Sequence, residues 1–142
     1  MDLTERIQSV QEYGSNCVGT ALYVAGITPY DIFTTHREIE WRLRGMDKTD
    51  DPEIGDLVVF RTSGKGSPIH MGVLVEVNPT LRIFHRHDFK AHTGIDDLNE
   101  YHKSLYPHTY LEYYSTESAY IPSCGLVIKL QKWRTLLLSN PG

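Results

Sequence analysis

Cysteine is scarce in this chain: Cys17 and Cys124 are the only two among 142 residues. Two thiols so far apart make no disulfide framework, and they leave the redox compartment open. Long hydrophobic runs are missing as well. No stretch approaches the roughly 18 apolar residues of a membrane span, so no spanning segment is expected. Positive charge is in deficit: 14 Lys and Arg stand against 18 Asp and Glu, for a net charge of −4 and a pI near 5.9. The basic residues are scattered, not striped, which gives no attraction for a phosphate backbone, and nucleic acid is not an expected partner. The opening MDLTERIQSVQEYG lacks the basic start and apolar run of a secretory signal. The expectation is a chain that is cytoplasmic, exported by a signal-independent route, or begun after a removed leader. Internal repeats, linkers and low-complexity tracts are absent too.

What is present suits one folded domain over residues 1–142, with 40% apolar residues to fill a core. Leu3, Ile7, Val10 and Tyr13 recur at helical spacing, predicting a first helix ended by Gly14. Val18, Ala21, Leu22 and Ala25 predict a second, with Ser15 or Asn16 as N-cap and Gly26 as its stop. A third covers Thr35 to Arg44 and closes at Gly45. Strand patterns follow at Leu57 to Arg61 (LVVFR), Ile69 to Val77 (IHMGVLVEV) and Leu81 to His87 (LRIFHRH). Residues 88–123 read less cleanly: DDLNEYHKSLYP suggests a short helix and YLEYYSTESAY a strand or ordered loop. Leu126 to Gln131 predicts a late strand. Helices first and a mostly antiparallel sheet after them make an α+β layout.

Cys17 falls in the first turn of the second helix. Unpaired N–H groups and the positive dipole end favour thiolate there, and the same amides could hold an oxyanion. A buried, inert cysteine is the ordinary alternative. A base is the missing half. Alternation in IHMGVLVEV puts Ile69, Met71, Val73, Val75 and Val77 on one apolar core face and His70, Gly72 and Leu74 on the other. Gly72 beside His70 predicts close approach of a helix to that face, with the Cys17 helix as the candidate. A two-residue Asn78-Pro79 turn sets His87 opposite His70 and His85 opposite Gly72, so all three histidines share a face. A four-residue turn keeps that face, and a three-residue loop loses it.

These residues resemble a known family. NCVGTALYVAGI, EIGDLVVF, IHMGVLV and RIFHRH follow the motif order of the NlpC/P60 cysteine peptidases over roughly residues 15–87. The resemblance implies a papain-like α+β fold, with the helix that carries the nucleophile packed on a central antiparallel sheet. It assigns Cys17 as nucleophile, His70 as general base and His85 as the third polar residue, with His87 as the alternative. Asn16 replaces the family's usual Asp, and Val18 its Ser. The implied function is a cysteine hydrolase cleaving an amide or isopeptide bond in peptidoglycan stem peptides. The partner is then a peptide or peptidoglycan fragment, and the oligomeric state stays open. The alternatives are an acyltransferase or thioesterase on the same fold, and a non-catalytic binding module.

Further candidates are weaker. Gln11, six residues before Cys17, has a spacing that papain-type enzymes use for an oxyanion glutamine. Tyr13 and Asn16 lie near enough for substrate contact. His85-x-His87-Asp88 puts two imidazoles on one face, but no third or fourth ligand is evident without Cys17 or His70, so no metal and no other cofactor is expected. The loop around Gly64, Lys65 and Gly66 reads as a rim of the cleft. Tyr110, Tyr113, Tyr114 and Tyr120 read as groove or core. His36, His92, His102 and His108 have no assigned role. Cys124 reads as structural, and Cys17 is expected to alkylate first, with a pKa below the ordinary thiol value of about 8.5.

Overall fold

The computed structural model describes residues 1–63, 66–87 and 92–116. Among them, four helices accompany one antiparallel sheet of six strands, an α+β arrangement. Cys124, Tyr120, the expected strand from Leu126 to Gln131, and the loop residues Gly64 and Lys65 lie outside the described residues.

Helix α1 spans Leu3–Gln8 and stops at Ser9, earlier than its apolar spacing predicts. Tertiary contacts draw the following backbone out of the helix: the Gln11 amide donates to Asp31 at 2.7 Å, and its carbonyl accepts from Arg86 at 2.5 Å. Helix α2, Cys17–Val24, is capped by Asn16 and buried from Val18 onward. Its stop is a Schellman turn, in which Gly26 takes φ +81 while Ile27 donates to the Leu22 carbonyl. Helix α3, His36–Arg44, runs between Thr35 and Gly45 as its caps.

The strands are β1 (Asp47–Lys48), β2 (Leu57–Arg61), β3 (Pro68–Glu76), β4 (Arg82–Arg86), β5 (Thr93–Asp97) and β6 (Tyr110–Ser115), with α4 at Leu98–Leu105. Their order across the sheet is β1-β6-β2-β3-β4-β5. YLEYY is therefore a strand, paired along β2 from Leu57↔Tyr114 to Arg61↔Tyr110. β1 and β5 carry no alternating apolar pattern, which is why periodicity does not find them.

Both faces of the sheet are covered. Helix α2 lies on the face of Leu57, Val59, Met71, Val73 and Phe84. Val58, Phe60, Leu74 and Ile83 pack on the other face with Leu98 and Tyr101 of α4. The expected approach of α2 to the His70 face is thus corrected: the helix takes the more apolar face, which buries more hydrocarbon.

Strand β4 serves both layers. Ile83 and His85 point to the α4 side, while Phe84 and Arg86 point to the α2 side. Arg86 is 1% exposed and clamps three segments together. It donates to the Thr20 hydroxyl of α2 at 2.8 Å, to Asp31 at 3.2 Å and to the Gln11 carbonyl. Asp31, equally buried, also accepts from Thr20 at 2.8 Å. No helix among the described residues is long and apolar enough to cross a membrane.

Removing one partner of a buried ion pair strands the other charge, at a cost of about 3–5 kcal/mol. Arg86→Leu is therefore expected to lower the urea unfolding free energy by about that much. A loss below about 1 kcal/mol, the scale of an exposed ion pair, would contradict the clamp.

Candidate active site

Cys17 is the first residue of α2, and two local devices hold it there. The Asn16 side chain accepts from the Gly19 amide at 2.8 Å and the Thr34 amide at 3.1 Å, and donates to the Thr34 carbonyl at 2.9 Å. An aspartate could cap the helix but could not make that donation. Gly19 lets the Ile32–Thr34 segment cross the helix closely, because a Cβ there would lie 1.8 Å from the Ile32 carbonyl oxygen. Val18 is in the core, which accounts for an apolar residue where the family resemblance has Ser.

The Cys17 sulfur, a free thiol, lies against the backbone amides of Cys17, Val18 and Met71. Met71 follows His70 in β3, so the thiol lies against the backbone of the residue next to the imidazole. Both line one cavity of about 280 Å³ with Asn16, Val18, Thr34, His36, Pro68, Ile69, His87 and Tyr106.

His70 is 1% exposed and His85 is fully buried. His70 Nε2 sits 2.7 Å from His85 Nδ1. His85 Nε2 sits 2.7 Å from the Asp96 carboxylate, and His87 Nε2 is 3.2 Å from the same oxygen. His85, not His87, is therefore the histidine that meets His70. The His70 ring lies between Phe60, Tyr101 and Tyr106, stacked on the last at 13°.

The strand register that makes this contact has two parts. Near the turn Glu76 pairs with Arg82, the register of a three-residue loop, which alone would turn His85 away. An irregularity between Leu74 and Glu76 shifts the ladder back to Leu74↔Ile83 and Val73↔Phe84, and His85 returns to the His70 face. Gly72 faces His85, where a Cβ would stand 3.2 Å from the His85 Cβ and 3.0 Å from the Phe84 carbonyl. Its missing side chain makes room for the histidine contact and not for a helix.

The hydrogen-bond chain sets the tautomers. An ionised Asp96 accepts from His85 Nε2–H, so His85 Nδ1 accepts from His70 Nε2–H, and His70 Nδ1 is left with its lone pair. Burial pushes the pKa of His70 down to about 3, helped by His85 and His87. Burial lowers that of His85 as well, against the pull of Asp96. Burial raises the Cys17 pKa, and the three amides only partly offset it. The lowered thiol pKa expected from the helix start is thus corrected, since desolvation of the thiolate outweighs the helix end. The resting site holds a neutral thiol and a neutral imidazole.

Other anticipated residues lie elsewhere. Gln11 and Tyr13 are exposed and do not line the cavity. Tyr113 and Tyr114 pack in the two cores, and Tyr110 donates to the Ser63 carbonyl. Asp96, Tyr101 and Tyr106 escape sequence reading. One signal for Asp96 was available: Asp97-Leu98-Asn99-Glu100 has capping spacing, and Asp97 does accept from the Glu100 amide at 3.0 Å. That makes Asp96 the residue just before a helix start. Comparison of the chain with protein-family models, curated proteins and solved structures gives no match.

Thiolate is the form that alkylates, so a raised pKa moves reactivity to higher pH. Iodoacetamide labelling of Cys17 is expected to climb continuously from pH 5 and still be rising at pH 9, with no acid-side plateau. A plateau near pH 5–6 would reveal a thiolate–imidazolium pair and contradict the neutral resting state.

Proposed function

We propose that this chain is a cysteine hydrolase on a papain-like fold of the NlpC/P60 type, cleaving amide or isopeptide bonds in peptidoglycan stem peptides. One observation carries the reading. A helix-start thiol shares a cavity with an imidazole whose far nitrogen is held by a second histidine, itself held by a carboxylate. This is the nucleophile, base and orienting group that acyl transfer requires.

In the proposed reaction His70 Nδ1 takes the Cys17 proton as the sulfur attacks the substrate carbonyl. The amides of Cys17 and Val18, beside the sulfur, receive the negative oxygen. The imidazolium then gives its proton to the leaving amine, and a thioester remains on Cys17. Water, deprotonated by His70, attacks the thioester; the acid departs and the thiol is restored. His85 and Asp96 keep His70 in the tautomer that can accept the proton, and they stabilise its charge while it holds one. A cavity near the lower end of the usual ~300–1,000 Å³ for ligand sites fits a short peptide segment.

Digestion of muropeptides followed by mass spectrometry tests the reading. Cys17→Ala is expected to abolish cleavage, and His70→Ala to lower kcat by about 10²–10⁴-fold. Asp96→Asn removes the acceptor that sets the tautomers and is expected to lower kcat by about 100-fold or more. Cleavage that persists unchanged in both Cys17→Ala and His70→Ala would exclude catalysis at this site.

A further inference from the structure

His85, His87 and Asp96 form a second constellation beside the thiol. Their ligating atoms all lie within 4.8 Å of one another. Asp96 Oδ2 is 2.7 Å from His85 Nε2 and 3.2 Å from His87 Nε2, and the two imidazoles stack with centroids 4.3 Å apart. Two ligands at zinc's usual ~2.0–2.1 Å stand about 3.3 Å apart in a tetrahedron, so an ion would part His85 Nε2 and Asp96, now 2.7 Å apart, and hold the two imidazole nitrogens at the same spacing. His87 and Asp96 are about a third exposed, and His87 lines the cavity, which provides a way in. Two imidazoles and one carboxylate are a donor set that zinc accepts with a fourth position open to water.

We propose that these three residues bind a zinc ion and that the bound ion switches the base off. The second half rests on the hydrolase reading; the first does not. Zinc on His85 Nε2 takes the lone pair of a nitrogen that otherwise carries the proton donated to Asp96. The proton of neutral His85 must then sit on Nδ1, which faces His70 Nε2. Nδ1 becomes the donor and His70 Nε2 the acceptor, so the proton of His70 moves to its Nδ1. No proton is gained or lost by the pair, yet the nitrogen that would deprotonate Cys17 no longer has a lone pair. The Asp96 carboxylate that sets the active tautomer thereby serves the ion that reverses it.

The experiment uses the full chain carrying Cys17→Ala, which removes the thiol as a competing ligand, titrated with zinc by calorimetry. One zinc per chain is expected. His87→Ala in the same background is expected to weaken binding by at least the ~10–100-fold seen for lost metal-supporting groups. On ¹⁵N-histidine spectra zinc should move the His70 proton from Nε2 to Nδ1. Absence of binding, binding indifferent to His87→Ala, or zinc binding that leaves the His70 tautomer unchanged would each overturn the proposal. Zinc binding with the tautomer shift, alongside a metal-free chain with Cys17 intact that cleaves no muropeptide, upholds this site while removing the hydrolase reading.

Discussion

The buried guanidinium of Arg86 is the contact on which the site's geometry depends. Strand β4 alternates, so consecutive residues must face opposite layers. Arg86 reaches into the α2 layer and holds Thr20, Asp31 and the Gln11 backbone, while His85 beside it reaches the other way to His70. Fixing one side chain therefore fixes the other. Because Thr20 lies one turn beyond Cys17, the same clamp sets how far the thiol-bearing helix can slide along β3. A buried charge on that seam is expensive unless it is paired and hydrogen-bonded, and here Nε and Nη2 both find oxygen. Two segments remote from Arg86 in sequence, around Gln11 and Asp31, are thus tied to the strand that carries His85.

Neutrality shapes the chemistry of the site. A preformed ion pair would need a polar, hydrated surround, and this imidazole instead sits among Phe60, Tyr101 and Tyr106. Desolvation acts on both partners in the direction that removes charge, raising the thiol and lowering the imidazole. Proton transfer from Cys17 to His70 is then uphill in the resting state. In the proposed reaction it becomes accessible when the amides at the helix start stabilise the charge that develops on the substrate oxygen, which lowers the activation free energy. His85 and Asp96 add their part at the same moment, when the imidazolium forms.

Much of this arrangement was legible in local patterns. The capping Asn16, the stop at Gly26 and the apolar run of α2 identify the helix and put Cys17 at its start without any tertiary knowledge. Alternation put His70 opposite Met71, and it is. The shared face of His70 and His85 was legible for an incomplete reason: the loop is one residue longer than the tight turn expected, and the irregularity beside Val75 cancels the change. Such compensation depends on how the sheet coils and leaves no mark in periodicity. Asp96 was hidden because β5 has no apolar alternation, and its partner His85 is brought near only by sheet pairing. The sign of the Cys17 shift was missed for a related reason. The helix end is a local effect, whereas the burial that outweighs it comes from residues far along the chain.

The central claim is that acyl transfer passes through the sulfur of Cys17. Acid-quenched intact-mass spectrometry during turnover of a peptide ester, with mapping of the modified cysteine, tests it most directly. The account predicts a transient acyl adduct on the peptide containing Cys17 that decays as product accumulates. Turnover with no adduct, or an adduct confined to Cys124, would contradict it.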